Sequence, residues 1–240
     1  MNIAIIFAGG TGTRMNSKAV PKQFLELHGK PILVYTLEQF EQCDEIDGII
    51  LVCIESWIPH CEKLLAKFGI RKVAAVVPGG ETGLLSRYHG IRKAAELYPP
   101  DSICLLHDGV RPLIDREVIE KNIECVKANG SSITVTPATE TVAVRSETGN
   151  TVGEIFDRSR CQLARAPQCF RLKELLAVHE ATVGSGIRDC IDTAFLMQQN
   201  GYPLYTVEGP AENIKITTPM DFYFFRAVVD MKENSQIFGI

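Results

Sequence analysis

No two of the eight cysteines stand at C-x-x-C spacing, and no histidine–cysteine group has the spacing of a zinc site. Cys43, Cys53, Cys61, Cys104, Cys125, Cys161, Cys169 and Cys190 are dispersed, and Cys53 and Cys104 lie inside apolar runs where a thiol serves as a small hydrophobe. Such usage predicts reduced thiols in a cytoplasmic protein. The opening MNIAIIFAGG carries no basic segment and too few apolar residues for a signal or membrane helix, so a soluble chain with no membrane partner is expected. Basic excess is missing too: the formal net charge is -4, which argues against a nucleic-acid partner. Two phosphate-binding signatures are also absent. In the glycine loop FAGGTGTRM, Met15 stands where G-x-G-x-x-G needs its last glycine, and Met15 or Asn16 where G-x-x-x-x-G-K-[ST] needs lysine. The first absence counts against a nicotinamide-dependent dehydrogenase.

What is present is a chain of 240 residues, 45% hydrophobic and 22% charged, enough for one α/β domain spanning 1–240. IAIIF (3–7), GIILVCI (48–54), VAAVV (73–77) and SICLLH (102–107) are continuous apolar runs, as in strands buried on both faces of a parallel sheet. Helical spacing fills 31–43, 56–69 and 82–98, with Pro31 suited to a first turn and Pro99–Pro100 stopping the third helix. The pattern predicts a doubly wound, mostly parallel, Rossmann-like sheet. After a helix over 115–130 that stops at Gly130, residues 131–159 alternate with period two around a turn at Glu147–Asn150. This reads as an inserted β-hairpin arm, about 136–160. Two strands cannot bury two faces alone, so the arm is expected to pack on a partner subunit. Helices over 172–182 and 191–200, a strand over 202–209 and a helix from Pro219 to Lys232 complete the chain.

Ligands bind outside the carboxyl ends of the strands in such a sheet. The first strand delivers Ala8, Gly9, Gly10, Thr11, Gly12, Thr13 and Arg14; the third delivers Pro78-Gly79-Gly80-Glu81; the fourth delivers His107-Asp108-Gly109-Val110-Arg111; the strand over 202–209 runs into Asn213-Ile214-Lys215. Bare amides let phosphate oxygens approach the chain, and Arg14 and Lys22 can both reach one triphosphate. The plainer alternative is a tight turn with two solvated cations. Asp108 suits magnesium, which takes one or two carboxylates plus substrate phosphates; the plainer alternative is an N-cap or a partner for Arg111. His107 reads as structural, and His28, His60, His89 and His179 show no ligand spacing.

GGTGTRM…PKQF, HDGVRP, APQCF and NIKITTP occur in this order over nearly the whole chain. Together they resemble the cytidylyltransferases of methylerythritol phosphate and ribitol phosphate. The resemblance implies that an acceptor phosphate oxygen attacks the α-phosphorus of CTP and pyrophosphate leaves. It places Arg14, Lys22 and Lys215 at the phosphates as the catalytic cations, and Asp108 at a magnesium ion. Gly80, Glu81 and Ser86 match positions that read cytosine and ribose. Arg111, Thr141, Arg158 and Asp192 match acceptor-side positions, with Thr141 and Arg158 reaching across from the partner's arm of a homodimer. Gly83 stands where the family's G-G-x-x-R has arginine, and Ala166 replaces the threonine of T-P-Q. These departures favour a polyol phosphate other than methylerythritol phosphate, such as ribitol or glycerol phosphate. A related nucleotidyltransferase using another nucleotide or a sugar phosphate, or a catalytically silent relative, is the alternative.

Overall fold

The computed structural model describes residues 1–10 and 20–238. Its elements, in chain order, are β1 (Asn2–Ala8), a 3-10 turn (Lys22–Phe24), β2 (Glu26–Leu27), β3 (Lys30–Pro31), α1 (Ile32–Glu41), β4 (Gly48–Cys53), α2 (Ile58–Phe68), β5 (Val73–Pro78), α3 (Gly83–Leu97) and β6 (Ile103–Asp108). Then follow α4 (Arg116–Asn129), β7 (Ser131–Pro137), β8 (Val142–Arg145), β9 (Val152–Phe156), β10 (Gln162–Arg171), α5 (Leu172–Gly184), α6 (Thr193–Gln199), β11 (Thr206–Glu208) and α7 (Pro219–Phe238). Among the described residues no helix is long and apolar enough to cross a membrane.

One seven-stranded sheet has the order β11-β7-β10-β6-β1-β4-β5. All its pairings are parallel except those of β10, which runs against both β6 and β7. The continuous apolar runs become β1, β4 and β6 because each of these strands is covered on both faces. Alternate residues divide between the two: Ala4, Ile6, Ile49 and Leu51 pack with α1, α2 and α4, while Ile3, Ile5, Ile50 and Val52 pack with α3, α5 and α6. A smaller cluster joins Leu27, Ile32 and Val110 to Phe225 and Val228 of α7.

Helix ends follow local chemistry. Asp115 caps α4 by accepting from the Val118 N–H at 2.9 Å, and Gly130 ends the helix with φ 90°, a left-handed conformation that glycine adopts at no steric cost. Pro31 stands one residue outside α1, in β3, rather than in the helix's first turn.

Three expectations need correction. Residues 131–159 do not form one hairpin: β7 belongs to the main sheet, and the hairpin comprises β8 and β9. The buried β7 is rich in serine and threonine, so its alternation looked like a half-exposed ribbon. Its hydroxyls are satisfied inside, Thr134 Oγ1 accepting from Asn122 Nδ2 at 3.0 Å and donating to the Pro167 carbonyl at 2.9 Å. Strand β10 was not expected at all. Proline in a run demotes it as a strand, and here Pro167 lies where the register shifts between Ala164 and Gln168. Last, the strand over 202–209 shrinks to Thr206–Glu208, after Pro203, which has no N–H to donate.

Helix α3 approaches the sheet closely at Gly90, where a Cβ would stand 2.7 Å from Ile5 Cγ2 and 2.8 Å from Val52 Cγ2. Alanine is the better helix former by about 1 kcal/mol, but overpacking costs about 1–3 kcal/mol. Gly90→Ala is therefore expected to lower the midpoint of urea unfolding. An unchanged or raised midpoint would show that α3 can move away.

Candidate active site

Backbone and amide contacts stitch the carboxyl end of β6 to that of β1 and the carboxyl end of β5 to that of β4. Gly109 N–H donates to the Phe7 carbonyl at 2.8 Å, and Gly79 N–H to the Cys53 carbonyl at 2.8 Å. Gln23 Nε2 donates to the Ala8 carbonyl at 2.6 Å, fixing the Lys22 segment against the end of β1. β1 lies between β4 and β6, where the winding reverses, which is where doubly wound sheets open a crevice. A cavity of about 770 Å³ occupies that crevice.

Asp108, the last residue of β6, is the cavity's charge centre. Its Oδ2 accepts from Arg111 Nε at 2.8 Å and its Oδ1 from Lys215 Nζ at 2.7 Å. Arg111 Nη1 also donates to the Asn213 carbonyl at 3.0 Å, and Asn213 Nδ2 to the Ala166 carbonyl at 2.7 Å, so the 213–215 segment is locked to β10. Burial alone would raise the Asp108 pKa; the Lys215 and Arg111 charges outweigh it and hold the carboxyl well below its ordinary range. Arg165 of β10 joins the wall, its pKa lowered by burial and by the Arg111 charge. Cations thus outnumber the carboxylate here, a balance suited to a polyanion. His107 is structural: its Nε2 lies 3.1 Å from the Arg111 carbonyl, and burial pushes its pKa down to about 4, keeping it neutral.

The cavity wall brings together Ala8, Gly9, Gly10, Gly80, Glu81, Asp108, Arg111 and Lys215, expected at separate strand ends, with Lys22, expected beyond the glycine loop, and Ser86 and Asp192, which the resemblance implied. Gly80 N–H donates to Ser86 Oγ at 3.1 Å, and a Cβ on Gly80 would lie 2.4 Å from Leu85 Cβ, so only glycine fits that turn. Asp192 caps α6 through the Phe195 N–H at 2.8 Å and accepts from Gln168 Nε2 at 2.8 Å. Thr141 and Arg158 do not line this cavity; Arg158 Nη1 donates to the Thr139 carbonyl at 3.0 Å beside the arm. Thr11, Gly12, Thr13 and Arg14 lie outside the described residues. Sequence reasoning missed Gln23, Arg87, Arg165 and Gln168 as wall or anchoring residues. The APQCF stretch marked Gln168, but without β10 nothing directed that side chain to the cavity.

Asp108 also fits a magnesium ion by donor chemistry. It is a hard carboxylate on a wall that also carries Glu81 and Asp192, each of its oxygens keeps a lone pair beyond the cation it already accepts from, and magnesium is held by one or two carboxylates with substrate phosphates completing the shell.

Comparison with known proteins bears on this geometry. The family model IspD, 2-C-methyl-D-erythritol 4-phosphate cytidylyltransferase, matches residues 2–231. A Vibrio parahaemolyticus protein named ribitol-5-phosphate cytidylyltransferase is 50% identical over 240 residues, 100% of both chains. A Clostridium acetobutylicum protein named 2-C-methyl-D-erythritol 4-phosphate cytidylyltransferase is 35% identical, over 98% of this chain and 99% of that one. The solved 4-diphosphocytidyl-2C-methyl-D-erythritol synthase of Anaerococcus prevotii superposes with a TM-score of 0.80 at 29% identity, covering 95% of each chain.

The ion cluster makes a stability prediction with a definite sign. Because its folded pKa is depressed, Asp108 contributes stability in full above about pH 5 and loses it as pH falls further. Asp108→Asn should cost about 1–3 kcal/mol at pH 7, since buried Arg111 then lacks its counter-charge. Urea unfolding should show that gap narrowing below about pH 5. A gap that is absent at neutral pH, or that widens in acid, would contradict the assignment.

Proposed function

The chain belongs to the 2-C-methyl-D-erythritol 4-phosphate cytidylyltransferase family, and on that premise we propose that it transfers CMP from CTP to ribitol 5-phosphate, giving CDP-ribitol and pyrophosphate. The observation that carries the reaction is the crevice in which Asp108, Arg111 and Lys215 stand beside the Gly9–Gly10 amides and the Gly79–Gly80 turn. Full-length 50% identity to a ribitol-5-phosphate cytidylyltransferase supports the acceptor, as do Gly83 and Ala166 in place of the arginine and threonine noted above.

In this reading an acceptor phosphate oxygen attacks the α-phosphorus of CTP, a new P–O bond forms, and the bond to the β-phosphate breaks to release pyrophosphate. The Gly9–Gly10 amides and Lys22 hold the triphosphate, and Arg14, five residues after Gly9 in the sequence, is assigned to the same charge. Lys215 neutralises phosphate oxygens, and Asp108 keeps its ammonium in place. Gly80, Glu81 and Ser86, which share one wall of the cavity, bind cytosine and ribose. Arg111 and Asp192 receive the acceptor. Asp108 would hold a magnesium ion, which when bound would supply positive charge to the triphosphate. CTP use and eight free cysteines suit a cytoplasmic setting.

A homodimer completes the site. The β8–β9 arm exposes Val144, Val152, Ile155 and Phe156, at 44%, 60%, 64% and 42%. So much apolar surface on an isolated ribbon is a subunit interface in the making. The partner's arm then brings Thr141 and Arg158 to the acceptor, positions they do not reach within one chain.

Three results are expected. Pyrophosphate release with CTP and magnesium should be fastest with ribitol 5-phosphate among ribitol, glycerol, mannitol and methylerythritol phosphates; preference for methylerythritol phosphate would overturn the acceptor. Lys22→Ala should cut turnover by about 10²–10³-fold while leaving CTP binding within about threefold, because the contact strengthens in the transition state. Ile155→Asp should shift sedimentation from dimer to monomer and abolish activity, whereas an active monomer would remove the arm from the mechanism.

A further inference from the structure

The amino end of α3 is tied to the segment before α6 at two points. Thr82 Oγ1 donates to the Arg188 carbonyl. Arg87 Nη2 donates to the Cys190 carbonyl at 3.3 Å and to Cys190 Sγ at 2.9 Å. Arg87 lies one turn after Gly83, and helical side chains lean back toward the amino end. A Cβ on Gly83 would accordingly meet Arg87 Nη1 at 3.3 Å. A bulky residue at position 83 would compete for the space that the guanidinium now occupies.

The tie continues into the cavity. Cys190 Sγ lies 3.6 Å from the Asp192 carbonyl, and the Asp192 carboxylate is fixed by Gln168 and by its capping bond to Phe195. Ile191, exposed at 78%, and Asp192 line the same cavity as Gly80 and Ser86. Arg87 therefore couples the helix that carries the nucleotide turn to the segment that carries the acceptor-side carboxylate.

We propose that Arg87 is a positioning residue for acceptor recognition: through Cys190 it fixes residues 188–192, so that Ile191 and Asp192 close the cavity around a short polyol chain. Gly83 is the small residue that admits it. The proposal rests on the acceptor-side role given to Asp192 above. Arginine suits the task because one terminal nitrogen offers two N–H groups in a fixed plane, one for the carbonyl and one for the sulfur; lysine offers a more hydrated point charge with a shorter reach.

The test combines kinetics with hydrogen exchange on Arg87→Ala, Arg87→Lys and Gly83→Leu. Arg87→Ala should raise KM for ribitol 5-phosphate about tenfold while KM for CTP stays within about twofold. Amide exchange over 185–192 should quicken about tenfold, with β4 and β6 unchanged. Arg87→Lys should recover part of both effects, and Gly83→Leu should reproduce them with Arg87 still present. Equal rises in both KM values, or unchanged exchange in the segment, would overturn the proposal. A wild-type enzyme inactive on every polyol phosphate would instead sink the acceptor reading, and the exchange result would then decide the positioning role by itself.

Discussion

Asp108 fixes two cations that would otherwise repel each other. Its two oxygens are each taken by a different cation, Arg111 from the loop after β6 and Lys215 from the segment before α7. Arg111 is nearly buried and needs this counter-charge; Lys215 is more exposed and gains mainly direction. Through Arg111 and Asn213 the same cluster reaches the Ala166 carbonyl in β10. Strands that meet nowhere in sequence are thereby held around one space, with positive charge left over for phosphate.

The sheet supplies the rest of the division of labour. β1 and β5 present bare glycine backbone, and β10 presents Arg165 and Gln168. Because β10 runs against its neighbours, its middle lies beside the carboxyl end of β6, and residues from the second half of the chain enter a crevice founded by the first. In the proposed reaction the nucleotide meets the glycine side and the acceptor meets the β10 side. The arm between β7 and β10 leaves the sheet with Val152 and Ile155 exposed, the surface on which the proposed dimer rests.

Much of this was legible in residues 1–130, where β1, β4, β5 and β6 are plain apolar runs and Pro99–Pro100 and Gly130 stop the third and fourth helices. Periodicity found β1, β4, β5 and β6, and their carboxyl ends located Gly9, Gly80, Asp108 and Arg111. The later half was harder for a physical reason. β7 buries hydroxyls that a local reading assigns to solvent, and their partners, Asn122 and the Pro167 carbonyl, are distant in sequence. Pro167 hid β10 for the same reason: its tolerance depends on a register shift that only pairing reveals. Arg87 and Gln23 were missed because a side chain's partner across 103 or 15 residues leaves no spacing to recognise. The strand-end argument reached Lys215 and the resemblance supplied Asp192; in the structure Lys215 pairs with Asp108 and Asp192 with Gln168.

The most direct measurement is a crystal structure with CTP, magnesium and the chain's own full length. The triphosphate should lie along Gly9–Gly10 within reach of Lys22 and Lys215, the metal at Asp108, and cytosine against the Gly79–Gly80 turn. Nucleotide bound elsewhere, or ATP and GTP accepted in the same pose with equal affinity, would contradict a cytidylyl-transfer site at this sheet edge.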